Sequence, residues 1–144
     1  MVIEEGDIRI GKRMHRTEQL TNSELKPLIT VLSELRAENK LSIAILFGSF
    51  AKGMHHSRSD IDLAIAIPLV HKDSEMDIID RILMATERPI SILRLDDLEE
   101  SPIVVQESLK GVHLVEPDLN VLYTVADWAL HESESIRCRR QRYA

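Results

Sequence analysis

Apolar residues along this chain follow two different periods. From Ser23 onward, Leu25, Leu28, Ile29, Leu32 and Leu35 recur at i, i+3, i+4 and i+7 spacing, which predicts a helix ending near Asn39. Thr21, Asn22 and Ser23 are the expected N-caps, and Pro27 is tolerated because it falls in a first turn. Between Leu41 and Ile67 the period changes to short continuous apolar runs. These predict one buried strand at about 42–47 and a second that carries Asp60 and Asp62, joined through a Gly-Ser turn and a polar connection. Helical spacing returns after Pro68, with Met76, Ile79, Ile82, Leu83 and Ala85 as the apolar stripe and Asp73, Glu75, Asp77 and Asp80 as the solvated face. Arg88-Pro89 should end that helix, and Ile90–Leu95 reads as a third strand. A helix at about 103–110, closed by Gly111, and a short strand over Val112–Val115 follow. From Asp118 a last helix is expected, with Leu119, Leu122, Val125, Ala126, Ala129 and Leu130 near one stripe. Residues 1–21 lack a clear period and read as an N-terminal arm, although Ile8 and Ile10 alternate with Asp7 and Arg9. The pattern is that of an α/β protein with a small mixed sheet and flanking helices.

Composition narrows the function classes. A chain of 144 residues with 44% hydrophobic and 29% charged content suits one globular domain with a real core. Its net charge of −6 argues against general nucleic-acid affinity, and an aromatic content of 3% offers little to stack bases on. No apolar run reaches membrane-spanning length and no export signal is read at the N-terminus. Cys138 is the single cysteine, so a reducing cytoplasm is the expected location.

The candidate chemistry lies between the first two strands. Residues i and i+2 of a strand share a face, so Asp60 and Asp62 should point the same way, with Ile61 turned to the other side. Two neighbouring carboxylates repel unless a cation sits between them, and hard oxygen ligands of this kind suit Mg2+ completed by substrate phosphates. Gly48 lets backbone approach a phosphate closely, and the Ser49 hydroxyl can donate to it. His55-His56 is better read as a solvated pair than as a metal pair, since Mg2+ prefers oxygen. Lys52 and Arg58 read equally as helpers that neutralise a triphosphate or as ordinary surface charge. His113 is expected to be a packed or edge histidine. The cluster Arg137, Arg139, Arg140 and Arg142 reads as C-terminal dipole compensation or as a docking element for an acidic partner.

Gly48-Ser49, ten residues, then Asp60-Ile61-Asp62 forms the pattern GS-x10-D-x-D. On it the chain resembles the minimal nucleotidyltransferase antitoxins of the polymerase-β-like superfamily, over about residues 22–117. The resemblance implies a nucleotidyltransferase fold for 22–117, with residues 118–144 as a C-terminal helix and basic tail. It further implies that Gly48 and Ser49 grip the triphosphate of ATP, and that Asp60 and Asp62 are catalytic and bind Mg2+ at the α-phosphate. In that family AMP is transferred to a tyrosine hydroxyl of a HEPN-type ribonuclease toxin, the partner protein. One departure stands out. The family usually carries a third carboxylate on the strand after the intervening helix, and by the count through Pro89-Ile90-Ser91-Ile92-Leu93 that position is Ser91. Asp96, Asp97 and Glu87 lie too far along the chain to substitute, at about 3.3 Å per residue. Slowed transfer is the expectation. The alternatives are an antitoxin of the same fold that neutralises by binding, and a small-molecule nucleotidyltransferase.

Overall fold

The computed structural model describes residue 23 and residues 25–51 and 60–143 of the chain. The expected N-terminal arm, Thr21 and Asn22, and the connection holding Lys52, His55, His56 and Arg58 lie outside the described residues.

Among the described residues four strands form one mixed sheet in the order β3-β2-β1-β4: β1 (Ile43–Phe47), β2 (Ile61–Ala66), β3 (Ile90–Arg94) and β4 (Val112–His113). β1 runs antiparallel to both β2 and β4, whereas β2 and β3 are parallel. The helices are α1 (Lys26–Ala37), the single turn α2 (Gly48–Ala51), α3 (Glu75–Leu83), α4 (Pro102–Ser108) and α5 (Leu119–Tyr143), with a 3-10 stretch over Leu69–Ser74 before α3.

Alternation along the strands sorts the core into two layers. Ala44, Leu46, Ile61, Leu63 and Ile65 pack with Leu28, Leu32 and Leu35 of α1 and with Ile78 and Ile82 of α3. On the opposite face, Ile43, Ile45, Ala64, Ala66 and Leu93 pack with Val105 of α4 and with Val125 and Ala129 of α5. Both faces are covered, which is why the strands read as apolar runs rather than as an alternation of apolar and polar residues.

Local chemistry sets several boundaries. Pro27 lies in the first turn of α1, as expected, but Leu25 is the N-cap and no side chain caps the helix. At the other end Asn39 adopts φ 60°, with its N–H on the Arg36 carbonyl at 3.1 Å and the Lys40 N–H on Leu35 at 2.8 Å. That is a Schellman closure with asparagine at the left-handed position. Ser101 caps α4 by accepting from the Val104 N–H at 3.4 Å, and Pro102 opens the helix.

Two apolar stripes differ from expectation. In α3 Ile82 is buried, and Ile79 and, just past the helix, Ala85 pack against the core, as expected. Ile78 is buried too, while Met76 is 69% exposed and Leu83 is exposed as well. In α5, Val125 and Ala129 are buried but Leu119 and Leu130 are exposed. Glu75 is no solvated acid either: it accepts from Arg94 at the end of β3, whose guanidinium also reaches Asp96 at 3.1 and 3.2 Å. Among the described residues no helix is long and apolar enough to cross a membrane.

Candidate active site

The site is built where β1 turns into α2 and the chain re-enters the sheet as β2. Phe47, the last residue of β1, is the register partner of Asp62. Asp62 shares its sheet face with Ala64 and Ala66, the face covered by α4 and α5, but stands at the end of the sheet and is half-buried. Asp60 precedes the strand and is exposed, so only one of the two aspartates is held by the ladder.

Gly48 is the hinge of the turn. Its φ of +75° is a conformation that residues with a Cβ rarely adopt. A Cβ there would lie 2.2 Å from Asp62 Oδ2 and 3.0 Å from its Cγ, so the carboxylate of Asp62 packs directly on the glycine backbone. The glycine therefore does more than let a phosphate approach: it makes room for the acid beside the turn. Ser49 follows within α2, and the structure describes its place in the backbone but not its side chain.

Burial, and after it the charge of Asp60, raises the Asp62 carboxyl above its ordinary value. Among the described residues nothing offsets the charge of this half-buried carboxylate beside Asp60, and both acids offer hard oxygen donors. That donor set fits Mg2+, which would supply the missing charge.

Ser91 occupies the place beside these acids. In the parallel ladder of β2 and β3 it is the register partner of Asp62, and it is exposed. Adjacent strands are about 4.8 Å apart, so the serine stands next to Asp62 on the same end of the sheet. The position counted from the sequence as the missing third carboxylate is therefore next to the pair in space. Among the described residues no group of three or more His, Cys, Asp or Glu gathers in a way that could hold a metal. His113 is buried on the short edge strand β4, as a packed histidine away from this chemistry. The contact between Gly48 and Asp62 was not read from the sequence, and the signal for it was the glycine itself.

Comparison with known proteins bears on the family and the fold. Residues 30–120, more than half of the chain, match the family described as polymerase beta, nucleotidyltransferase. No curated protein matches the sequence significantly. Similar folds occur in crystal structures of a toxin–antitoxin with AMP-PNP (19% identity, TM-score 0.60, covering 80% of this chain and 94% of that one). They occur also in two mutants of the toxin–antitoxin MntA-HpeT, at 18% identity and TM-score 0.60 over 80% of this chain and 94% of that one, and at 20% identity and TM-score 0.59 over 82% and 92%. With the motif, the mixed sheet and the paired aspartates at its end all in place, this chain belongs to the polymerase beta nucleotidyltransferase family.

Proposed function

We propose that this chain is an antitoxin-type protein adenylyltransferase, which transfers AMP from Mg-ATP to a tyrosine hydroxyl of a HEPN-type ribonuclease toxin in the cytoplasm. The observation that carries the proposal is the packing of the Asp62 carboxylate against Gly48 at the β1–α2 turn, where a glycine backbone open to a phosphate meets an acid raised by burial and by Asp60. The likeness in fold to toxin–antitoxin structures, one of them with AMP-PNP, supports the choice of substrate and partner.

In this reading Gly48 and Ser49 hold the triphosphate through the turn, and Asp60 and Asp62 hold the metal. Bound Mg2+ would neutralise charge at the α-phosphate. The tyrosine oxygen forms the new bond to the α-phosphorus, and the bond to the bridging oxygen breaks with pyrophosphate as leaving group. Little covalent chemistry is asked of the protein itself, because transfer of this type depends on positioning and charge. Ser91 offers a neutral hydroxyl where a third carboxylate would help attract the cation, so transfer is slow rather than absent.

The register of Ser91 with Asp62 also favours a second reading, in which the same fold neutralises the toxin by binding alone. Asp62→Asn separates the two when ribonuclease inhibition and complex formation are measured together. For the adenylyltransferase the variant still binds the toxin but no longer silences it. For the binder it does both as well as the wild type.

A further inference from the structure

At the end of β2 away from the aspartates, a groove runs between α5 and the chain leaving β3. One part, about 390 Å³, is lined by Leu95, Leu98, Val121, Thr124, Val125 and Trp128. A second part, about 370 Å³, is walled by Ala66, Ile67, Pro68 and Leu69 and meets the first at Asp96 and Val121. The lining is mostly apolar, yet Leu98 and Leu69 stand 74% and 78% exposed at its margins. Large apolar side chains grouped around a groove mark an interaction surface more often than a solvated one.

The charge around the groove says what fits it. Asp97 and Glu99 flank the exposed Leu98 on the loop and are themselves exposed, whereas Asp96, at the junction of the two parts, is paired with Arg94 and Asp118 caps the start of α5. The loop over residues 95–101 carries Asp97, Glu99 and Glu100 besides Asp96 and no Lys or Arg. Arg94, next to the groove, is engaged by Glu75 and Asp96. An apolar floor with an acidic rim complements an apolar stripe flanked by cations. The α5 side of the groove runs from Asn120 to Trp128, a rise of about 12 Å, which matches apolar anchors at i, i+4 and i+7 of a docked helix.

We propose that this groove is a docking site for a basic amphipathic helix of the protein that the chain modifies. The proposal rests on the adenylyltransferase reading for the identity of that protein. It adds an anchoring surface distinct from the chemistry: Asp62 and Ala66 are four residues apart on β2, about 13 Å. The partner is thereby held at one end of the sheet while its tyrosine is presented at the other.

The test uses the full chain with the HEPN-type partner and three variants at exposed positions, Leu98→Glu, Thr124→Arg and Thr124→Glu. Dissociation constants and the kinetics of AMP transfer are measured in parallel. Thr124→Arg should weaken binding tenfold or more and raise KM for the partner with kcat kept, while Thr124→Glu, a shorter side chain of opposite charge, weakens it less. Leu98→Glu should fall between them. A photocrosslinking phenylalanine analogue in place of Leu98 should label a helical partner segment rich in Lys or Arg. Equal losses for the two Thr124 variants, unchanged binding in all three, or crosslinks to residues 1–22 or to a second copy would each overturn the proposal. A wild-type chain that binds the partner without transferring AMP defeats the adenylyltransferase reading, and its dissociation constants still decide the groove. Absence of any complex defeats both.

Discussion

Gly48 and Asp62 act as one unit, and the most specific consequences follow from that. Gly48→Ala brings a Cβ to 2.2 Å from Asp62 Oδ2 and places a side chain at φ +75°. The chain should lose about 1–2 kcal/mol of stability in denaturant unfolding. AMP transfer should fall further than stability does, because the displaced group is the proposed metal ligand. Asp62 also makes a pH prediction. Its carboxyl is raised in the folded state by burial and by Asp60, so the folded chain binds that proton more tightly than the unfolded chain. Without metal, stability is therefore lost as pH rises from the ordinary aspartate value through the raised one. Asp62→Asn should melt higher than the wild type at neutral pH in EDTA, and Mg2+ should raise the Tm of the wild type but not of the variant. A variant Tm equal to the wild type's under both conditions would contradict the environment assigned to this acid. Ser91→Asp places a third carboxylate at the register partner of Asp62 and should speed transfer by roughly tenfold, about 1.4 kcal/mol of barrier. Unchanged or lower activity would mean that Ser91 does not hold that role.

Elements show where sequence periodicity suffices and where packing decides. α1 was legible because Leu28, Leu32 and Leu35 have one consistent phase, and all three are buried. The run around α3 fits two helical phases: Met76 with Ile79 and Leu83, or Ile78 with Ile82 and Ala85. The 3-10 stretch over Leu69–Ser74 precedes α3, and Met76 lies exposed in its first turn. Ile78 and Ile82 are buried and Ile79 and Ala85 pack beside them, so the covered face takes residues from both phases. In α5 the apolar pattern was visible: Val125 and Ala129 are buried, and Leu122 packs against the same core with Val121 and Trp128. The ends of the stripe, Leu119 and Leu130, stay exposed, a limit set by contact with α4 and the sheet that no local pattern encodes. The central strand gives a direct check. Leu63 lies fully buried opposite Leu46, so Leu63→Ala should cost about 2–5 kcal/mol in equilibrium unfolding, whereas Met76→Ala should change stability little. Gly111 is the second glycine with no room for a side chain. A Cβ would meet the Leu46 carbonyl at 2.2 Å, so Gly111→Ala should push β4 off β1 and lower the Tm.

For the molecule as a whole, the chemistry was readable because it is local. Gly48, Asp60 and Asp62 lie within fifteen residues, and the turn between two strands brings them together. Ser91 could be placed by counting, since β3 pairs with β2 in a fixed parallel register. The groove was not readable, because Leu95, Leu98, Val121 and Trp128 line it together only through the packing of α5 against the sheet. The result is a domain with two neighbouring aspartates, the proposed site of transfer, at one end of β2 and an apolar groove at the other. The central claim is that the first of these transfers AMP. Its most direct measurement is the intact mass of the HEPN-type partner after incubation with this chain, ATP and Mg2+, beside a control carrying Asp60→Asn and Asp62→Asn. The account predicts a partner heavier by one or more AMP units with the wild type and unmodified with the control. A partner that stays unmodified with the wild type, while forming a tight complex with it, would contradict the account and leave a nucleotidyltransferase fold that neutralises by binding.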